Sequence, residues 1–162
     1  MKVNIGCGAR PMSGYQNTDV VANTNAQHIC PAWHLPFDDA SVDELRAHDV
    51  IEHFFPKDWP PALSEFTRVL KHGGRIVLSF PDFGDLAVGY VEGRYNIDTI
   101  RSTVTATVPP FNSCDYDVPE SYHRTIHSKQ SVINDLTSKG FGQFKSWFET
   151  YTWNLFVEAY KP

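Results

Sequence analysis

Apolar residues in this chain fall in short blocks separated by glycine, proline and acidic turns, and the blocks change period along the sequence. Val3–Ile5 is a compact apolar segment that stops at Gly6, which predicts a short buried strand. Gln16–Val21 (QNTDVV), Gln27–Ile29 and the alternating Val42–Ala47 (VDELRA) predict three more. Leu63, Phe66, Val69 and Leu70 then recur at helical spacing. Asp58 stands where a helix cap belongs, Pro60 and Pro61 are tolerated in a first turn, and Gly73-Gly74 is the predicted stop. Arg75–Phe80 (RIVLSF) is the clearest strand. Two short helices are predicted at 85–93 and 97–107, followed by an aromatic, acidic loop. Ser128 opens a helix with Val132, Ile133 and Leu136 on one face and Gly140 as its end. From Gly142 to Tyr160, aromatic and β-branched residues predict two strands in a hairpin.

Strands alternating with helices predict an α/β fold: a mostly parallel sheet covered by helices and closed by an antiparallel C-terminal hairpin. The 162 residues suit one domain, with 84–127 as an inserted lid and ligand-recognition region. Ligands of such sheets sit beyond the carboxyl ends of the strands. Gly6, Asp19, Pro31, His48 and Asp82 all fall at or just past those ends and are expected to converge. The first crossover is unusually short. Only ten residues separate Ile5 from Gln16, where a parallel connection normally needs a dozen or more. Pro11 and Gly14 lie inside it, so a turn is predicted in place of a helix.

Composition narrows the partners. The chain is 41% apolar and 20% charged, with a net charge of −5 and no basic block. That argues for a folded protein and against a nucleic-acid partner, whose phosphates must be neutralised. No run is apolar enough for a membrane span, and with a glycine turn at Gly6 no apolar signal stretch is expected at the start. Cys7, Cys30 and Cys114 are odd in number and far apart, so a reducing, cytoplasmic setting is expected.

The ordered series NIGCG, NTD, LPFDDASVDEL, HDVIEHF and EFTRVLKHGGRIVLSFPD resembles the class I S-adenosylmethionine-dependent methyltransferases. It is most similar to a compact branch of predicted methyltransferases. The resemblance runs through residues 3–83 and resumes more weakly at 123–160; residues 84–122 carry none of it. It implies a Rossmann-like methyltransferase fold and S-adenosyl-L-methionine as cofactor. Gly6, Cys7 and Gly8 are then expected to approach the cofactor through bare backbone, and Asp19 to accept from its ribose hydroxyls. Two family acids are missing. Asn4 stands where many relatives hold the cofactor's ammonium, and Pro31 where many accept from the adenine amine. Backbone near Pro31 and Ala32, with Trp33 against the ring, is the expected substitute. His48 and Asp49 close the cofactor set.

Methyl transfer asks the protein mainly for alignment, with a base when the acceptor is a hydroxyl or protonated amine. His53, His123 and Asp82 are the candidate catalytic groups, and Arg124 and Tyr122 candidate acceptor contacts. The expected acceptor is a small molecule or glycan. A non-catalytic cofactor-binding or assembly module of the same fold is the alternative, and the lid region is also a candidate homodimer contact. The run HDVIEH superficially suggests a metal helix. His48 and His53 are five apart, which fits neither H-E-x-x-H nor H-x-x-E-H, so no metal site is assigned from spacing; a site assembled in three dimensions from His48, Glu52, Asp82, His123 and His127 stays open as an alternative.

Overall fold

The structure, a computed structural model, describes residues 1–22, 24–105, 122–149 and 153–162. Cys114 and most of the predicted aromatic loop lie outside these residues. The described strands are β1 (Lys2–Ile5), β2 (Gln16–Asp19), β3 (His28–Ile29), β4 (Val42–His48), β5 (Leu70–Pro81), β6 (Gly142–Phe148) and β7 (Asn154–Tyr160). They form a seven-stranded sheet in the order β3-β2-β1-β4-β5-β7-β6. Strands β1 to β5 pair in parallel, and β7 runs antiparallel to both β5 and β6. The expected mostly parallel sheet with its antiparallel C-terminal hairpin is therefore the observed one.

The helices are α1 (Trp59–Val69), α2 (Phe83–Val91), α3 (Ile97–Thr105) and α4 (Lys129–Ser138). Leu63, Phe66 and Val69 of α1 and Val132 and Leu136 of α4 bury the predicted stripes against Leu45, Ile76, Leu78 and Val157 of the sheet. Ser128 caps α4 by accepting from the Ser131 amide at 3.2 Å, and Ser131 returns a bond to the Ser128 amide. Residues 6–15 form turns and no helix, as the short crossover requires.

Three boundaries differ from the sequence expectation. β2 stops at Asp19 instead of Val21, because the Asp19 carboxylate accepts from the Val21 amide and turns the chain. Helix α1 stops at Val69, before the glycine pair. Leu70 is already extended and pairs with Val42 of β4. Gly73-Gly74 instead lies within β5, in a bulge that ends where Arg75 pairs with Glu44. Gly73 takes φ +74° there, a conformation that favours glycine. Asp58 precedes α1, but its side chain makes no capping bond among the described residues.

Glu44 fastens the middle of the sheet. It is buried, and it accepts from the Tyr15 hydroxyl, from Arg46 Nε at 2.7 Å and from Arg75 Nη2 at 2.7 Å. Arg75 also reaches Glu158 of β7 at 3.0 Å. Burial opposes charge on Glu44, yet the bonds from Tyr15, Arg75 and Arg46 outweigh it and hold its pKa at about 2. A carboxylate depressed in the folded state stabilises above its unfolded pKa and loses that contribution as pH falls through the folded one. Glu44→Gln should therefore cost about 2 kcal/mol in urea denaturation at pH 7. The gap to wild type should shrink below about pH 4.5 and close near pH 2. A gap independent of pH would contradict the charge assignment.

Candidate active site

Beyond the carboxyl ends of β1, β2 and β4 the sheet opens into a cleft of about 540 Å3. Asp19, at the end of β2, forms one wall. It is 8% exposed; its Oδ2 accepts from the Gly8 amide at 2.7 Å and its Oδ1 from the Val21 amide at 2.9 Å. The same side chain thus ties the turn after β1 to the turn after β2.

The two glycines after β1 do different work. Gly6 has φ +62°, and a Cβ there would lie 2.6 Å from Val50 Cγ2. Its bareness serves the packing of the β1 turn against the β4 turn. Gly8 has φ +51°, and a Cβ there would meet nothing within 4 Å. Both glycines line the cleft, but only beside Gly8 does the bareness leave open space for a ligand. Cys7, between them, is buried, does not line the cleft, and its thiol is raised by burial and then by Asp19.

Cys30, Pro31, Ala32 and Trp33 line another wall. The Cys30 amide donates to the Asp19 carbonyl at 2.9 Å, which draws this segment to the β2 end. Trp33 is 40% exposed and meets Phe54 edge-on. Asp49, just past β4, also reaches the cleft, in a left-handed conformation at φ +54°. Its Oδ1 accepts from Ser79 Oγ at 3.0 Å and Asn154 Nδ2 at 2.8 Å, and its amide donates to the Ser79 carbonyl. These bonds hold a backbone conformation that an isolated Asp would seldom keep.

Besides Cys7 and His123, three expected site residues are not brought to the cleft. Asn4 is buried within the sheet and its Nδ2 donates to Asn17 Oδ1 at 2.9 Å, stitching β1 to β2. His48 lies edge-on to Phe156, and its pKa is lowered by burial and then by Arg46. Asp82 accepts from the Asp85 amide at 3.1 Å and the Lys129 amide at 2.7 Å, so it anchors the starts of α2 and α4.

His53 does line the cleft, in the 3-10 turn Ile51–His53 that follows β4. His123 stands behind it, with ring centroids 4.8 Å apart, and lines a smaller cavity with Glu52. Burial, then the neighbouring His53, lowers His123 to about 4. Burial, then Asp49, pushes the Glu52 carboxyl well above the usual range. Burial disfavours the charged form of both groups, which weakens any ion pairing across the 3.9 Å between His123 Nε2 and Glu52 Oε1. Arg124 lines the cleft beside His53, donates to the His53 carbonyl at 3.2 Å and stacks over Phe55 at 4.4 Å.

Val50, Phe54 and Phe55 also line the cleft and were not singled out from sequence. Their signal was the apolar run interrupted by an acid in VIEHFF. Among the described residues, no helix is long and apolar enough to cross a membrane.

Comparison with known proteins bears on this site. The family described as a methyltransferase domain matches residues 12–78, from the first crossover into β5. Over 56 residues the chain is 41% identical to an uncharacterised 37.1 kDa protein of a Streptomyces fradiae transposon; the match takes in 35% of this chain and 16% of that protein. A methyltransferase structure from Methanosarcina mazei superposes with a TM-score of 0.63 at 20% identity, covering 99% of this chain and 91% of that one. A Haemonchus contortus phosphoethanolamine N-methyltransferase, in complex with phosphomonomethylethanolamine and S-adenosylhomocysteine, gives 0.63 at 14% identity over 99% of this chain and 49% of that one. At these identities the superpositions establish the fold. Residues 12–78 are thus similar to a methyltransferase domain, and the fold as a whole is the one these methyltransferase structures share.

Proposed function

We propose that this chain transfers the methyl group of S-adenosylmethionine to a hydroxyl or amine of a small molecule or glycan. The observation that carries the reading is the Asp19 carboxylate. Each oxygen has two acceptor sites, and one on each is used by the Gly8 and Val21 amides. The remaining two suit a pair of neighbouring ribose hydroxyls. The open space beside Gly8 and the Cys30–Trp33 wall fit the rest of a nucleoside. Asn4 is committed to Asn17, so Asp49 and Asp58, the other acids lining the cleft, remain for the cofactor's cationic end.

The cofactor's sulfonium supplies an already activated methyl group. The chain's own residues bind, align and shield. His53 is the group placed to take a proton from an acceptor entering past Phe55. His123, held behind it, keeps its Nδ1 on the Thr103 carbonyl at 2.7 Å. Arg124, on the same wall as His53, suits an anionic or hydroxylated acceptor. A cofactor-binding module without turnover is the other reading, and the commitment of Asn4 to Asn17 favours it.

Cofactor at 100 times its dissociation constant should add about 2.7 kcal/mol of stability, seen as a thermal shift. Asp19→Ala should erase that shift while keeping the far-ultraviolet spectrum; an undiminished shift would remove Asp19 from the site. Gly6→Ala should lower stability by about 2–4 kcal/mol from strain and collision, partly restored by adding Val50→Ala. Gly8→Ala should cost only about 1–2 kcal/mol but weaken cofactor binding disproportionately. Equal effects of the two glycine substitutions on binding and stability would contradict the division of labour. With an acceptor found from a panel of alcohols and amines, Arg124→Gln should raise the acceptor KM and leave cofactor affinity unchanged. Cofactor binding with silence across a broad panel would favour the module.

A further inference from the structure

Three potential ligand atoms converge where the turn after β4 meets the returning segment 122–127. A carboxylate oxygen of Glu52 and one ring nitrogen each of His53 and His123 lie within 4.8 Å of one another. The backbone fixes this meeting. The amides of Arg124 and Thr125 both donate to the Glu52 carbonyl, at 2.8 and 3.1 Å, clamping the two segments together.

The chemistry of the cluster is one-sided. Glu52 is 2% exposed, and neither side-chain oxygen has a hydrogen-bond partner among the described residues. A buried carboxyl group without a partner is costly, so its place in the fold calls for a reason. His123 Nδ1 faces the Thr103 carbonyl at 2.7 Å. A carbonyl only accepts, so Nδ1 carries the proton and Nε2 presents a lone pair. That lone pair stands 3.9 Å from Glu52 Oε1, too far for a hydrogen bond. A backbone carbonyl behind an imidazole is also the usual support of a metal-ligating histidine.

We propose that Glu52, His53 and His123 bind one divalent first-row transition-metal ion. Two imidazole nitrogens with a single carboxylate favour zinc, iron, cobalt or manganese over magnesium and calcium, which prefer all-oxygen shells. Bonds of about 2.0–2.2 Å bring ligand atoms to roughly 3–3.5 Å of one another, so the set closes by about 1 Å on loading. Three protein ligands leave coordination positions open. His53 also lines the large cleft, so the ion sits between the cofactor's space and the cavity of Glu52 and His123. With the ion bound, His53 serves as a ligand and no longer as a base, and an acceptor oxygen in an open position would be activated by the ion instead, a role that rests on the methyltransferase reading; binding of the ion does not.

The test is a titration of the chelator-treated, full-length chain with Co2+, followed by visible absorption and by calorimetry, with Zn2+ as competitor. One ion per chain should bind with ligand-field bands, and Zn2+ should displace it. Glu52→Gln and His123→Ala should each weaken binding by at least about tenfold. S-adenosylhomocysteine affinity, measured on the same preparations, should change little in Glu52→Gln. Absence of stoichiometric Co2+ binding to wild type, or equal affinity in both variants, would overturn the proposal. If Glu52→Gln does not fold, His123→Ala and His53→Ala decide the matter by the same absorption readout. Should wild type bind Co2+ but not S-adenosylhomocysteine, the cofactor reading falls and the metal site stands.

Discussion

The cleft depends on one carboxylate with two backbone partners. Asp19 closes β2, and its two oxygens fasten the turn after β1 and the turn after β2 to the same point. The connection between these strands is too short for the helix that would otherwise hold them. A buried side chain does that work instead, and in doing so it stands at the cleft with acceptor capacity to spare. Fold and site thus share one residue at this edge of the sheet. The Asp19 carbonyl extends the arrangement by receiving the Cys30 amide, which sets the segment leading to Trp33.

On the other side of β1, the turn after β4 carries most of the remaining chemistry. Val50 packs against Gly6, Asp49 is held by Ser79 and Asn154, and the Glu52 carbonyl receives the returning segment. Because 122–127 is pinned there, residues distant in sequence reach one wall of the cleft. Arg124 joins His53 through its carbonyl, and His123 comes to rest behind His53. The two walls are therefore rigid for different reasons: one through a side chain, the other through backbone pairing.

Much of this was legible in the sequence, for local reasons. Strand ends marked by Gly6 and Asp19, the helix stripe Leu63-Phe66-Val69 and the aromatic hairpin depend on neighbours along the chain. What sequence left open depended on direction across the sheet. Asn4 and His48 both lie on strands beside the cleft, but Asn4 is spent on Asn17 and His48 faces Phe156. Asp82 lies at a strand end, yet two helix starts claim its oxygens. Gly73-Gly74 looked like a helix stop, and sheet pairing at Leu70 ended the helix first. Glu52 and His123 are far apart in sequence, and no spacing rule joins them; the backbone clamp on the Glu52 carbonyl does.

The most direct test of the Asp19-centred cleft is a crystal structure of the chain with S-adenosylhomocysteine. The account predicts both ribose hydroxyls within about 3 Å of the Asp19 oxygens, with the base against Cys30–Trp33 and the backbone of Gly8 alongside. A nucleoside seated elsewhere on the chain, or one whose ribose turns away from Asp19, would contradict it.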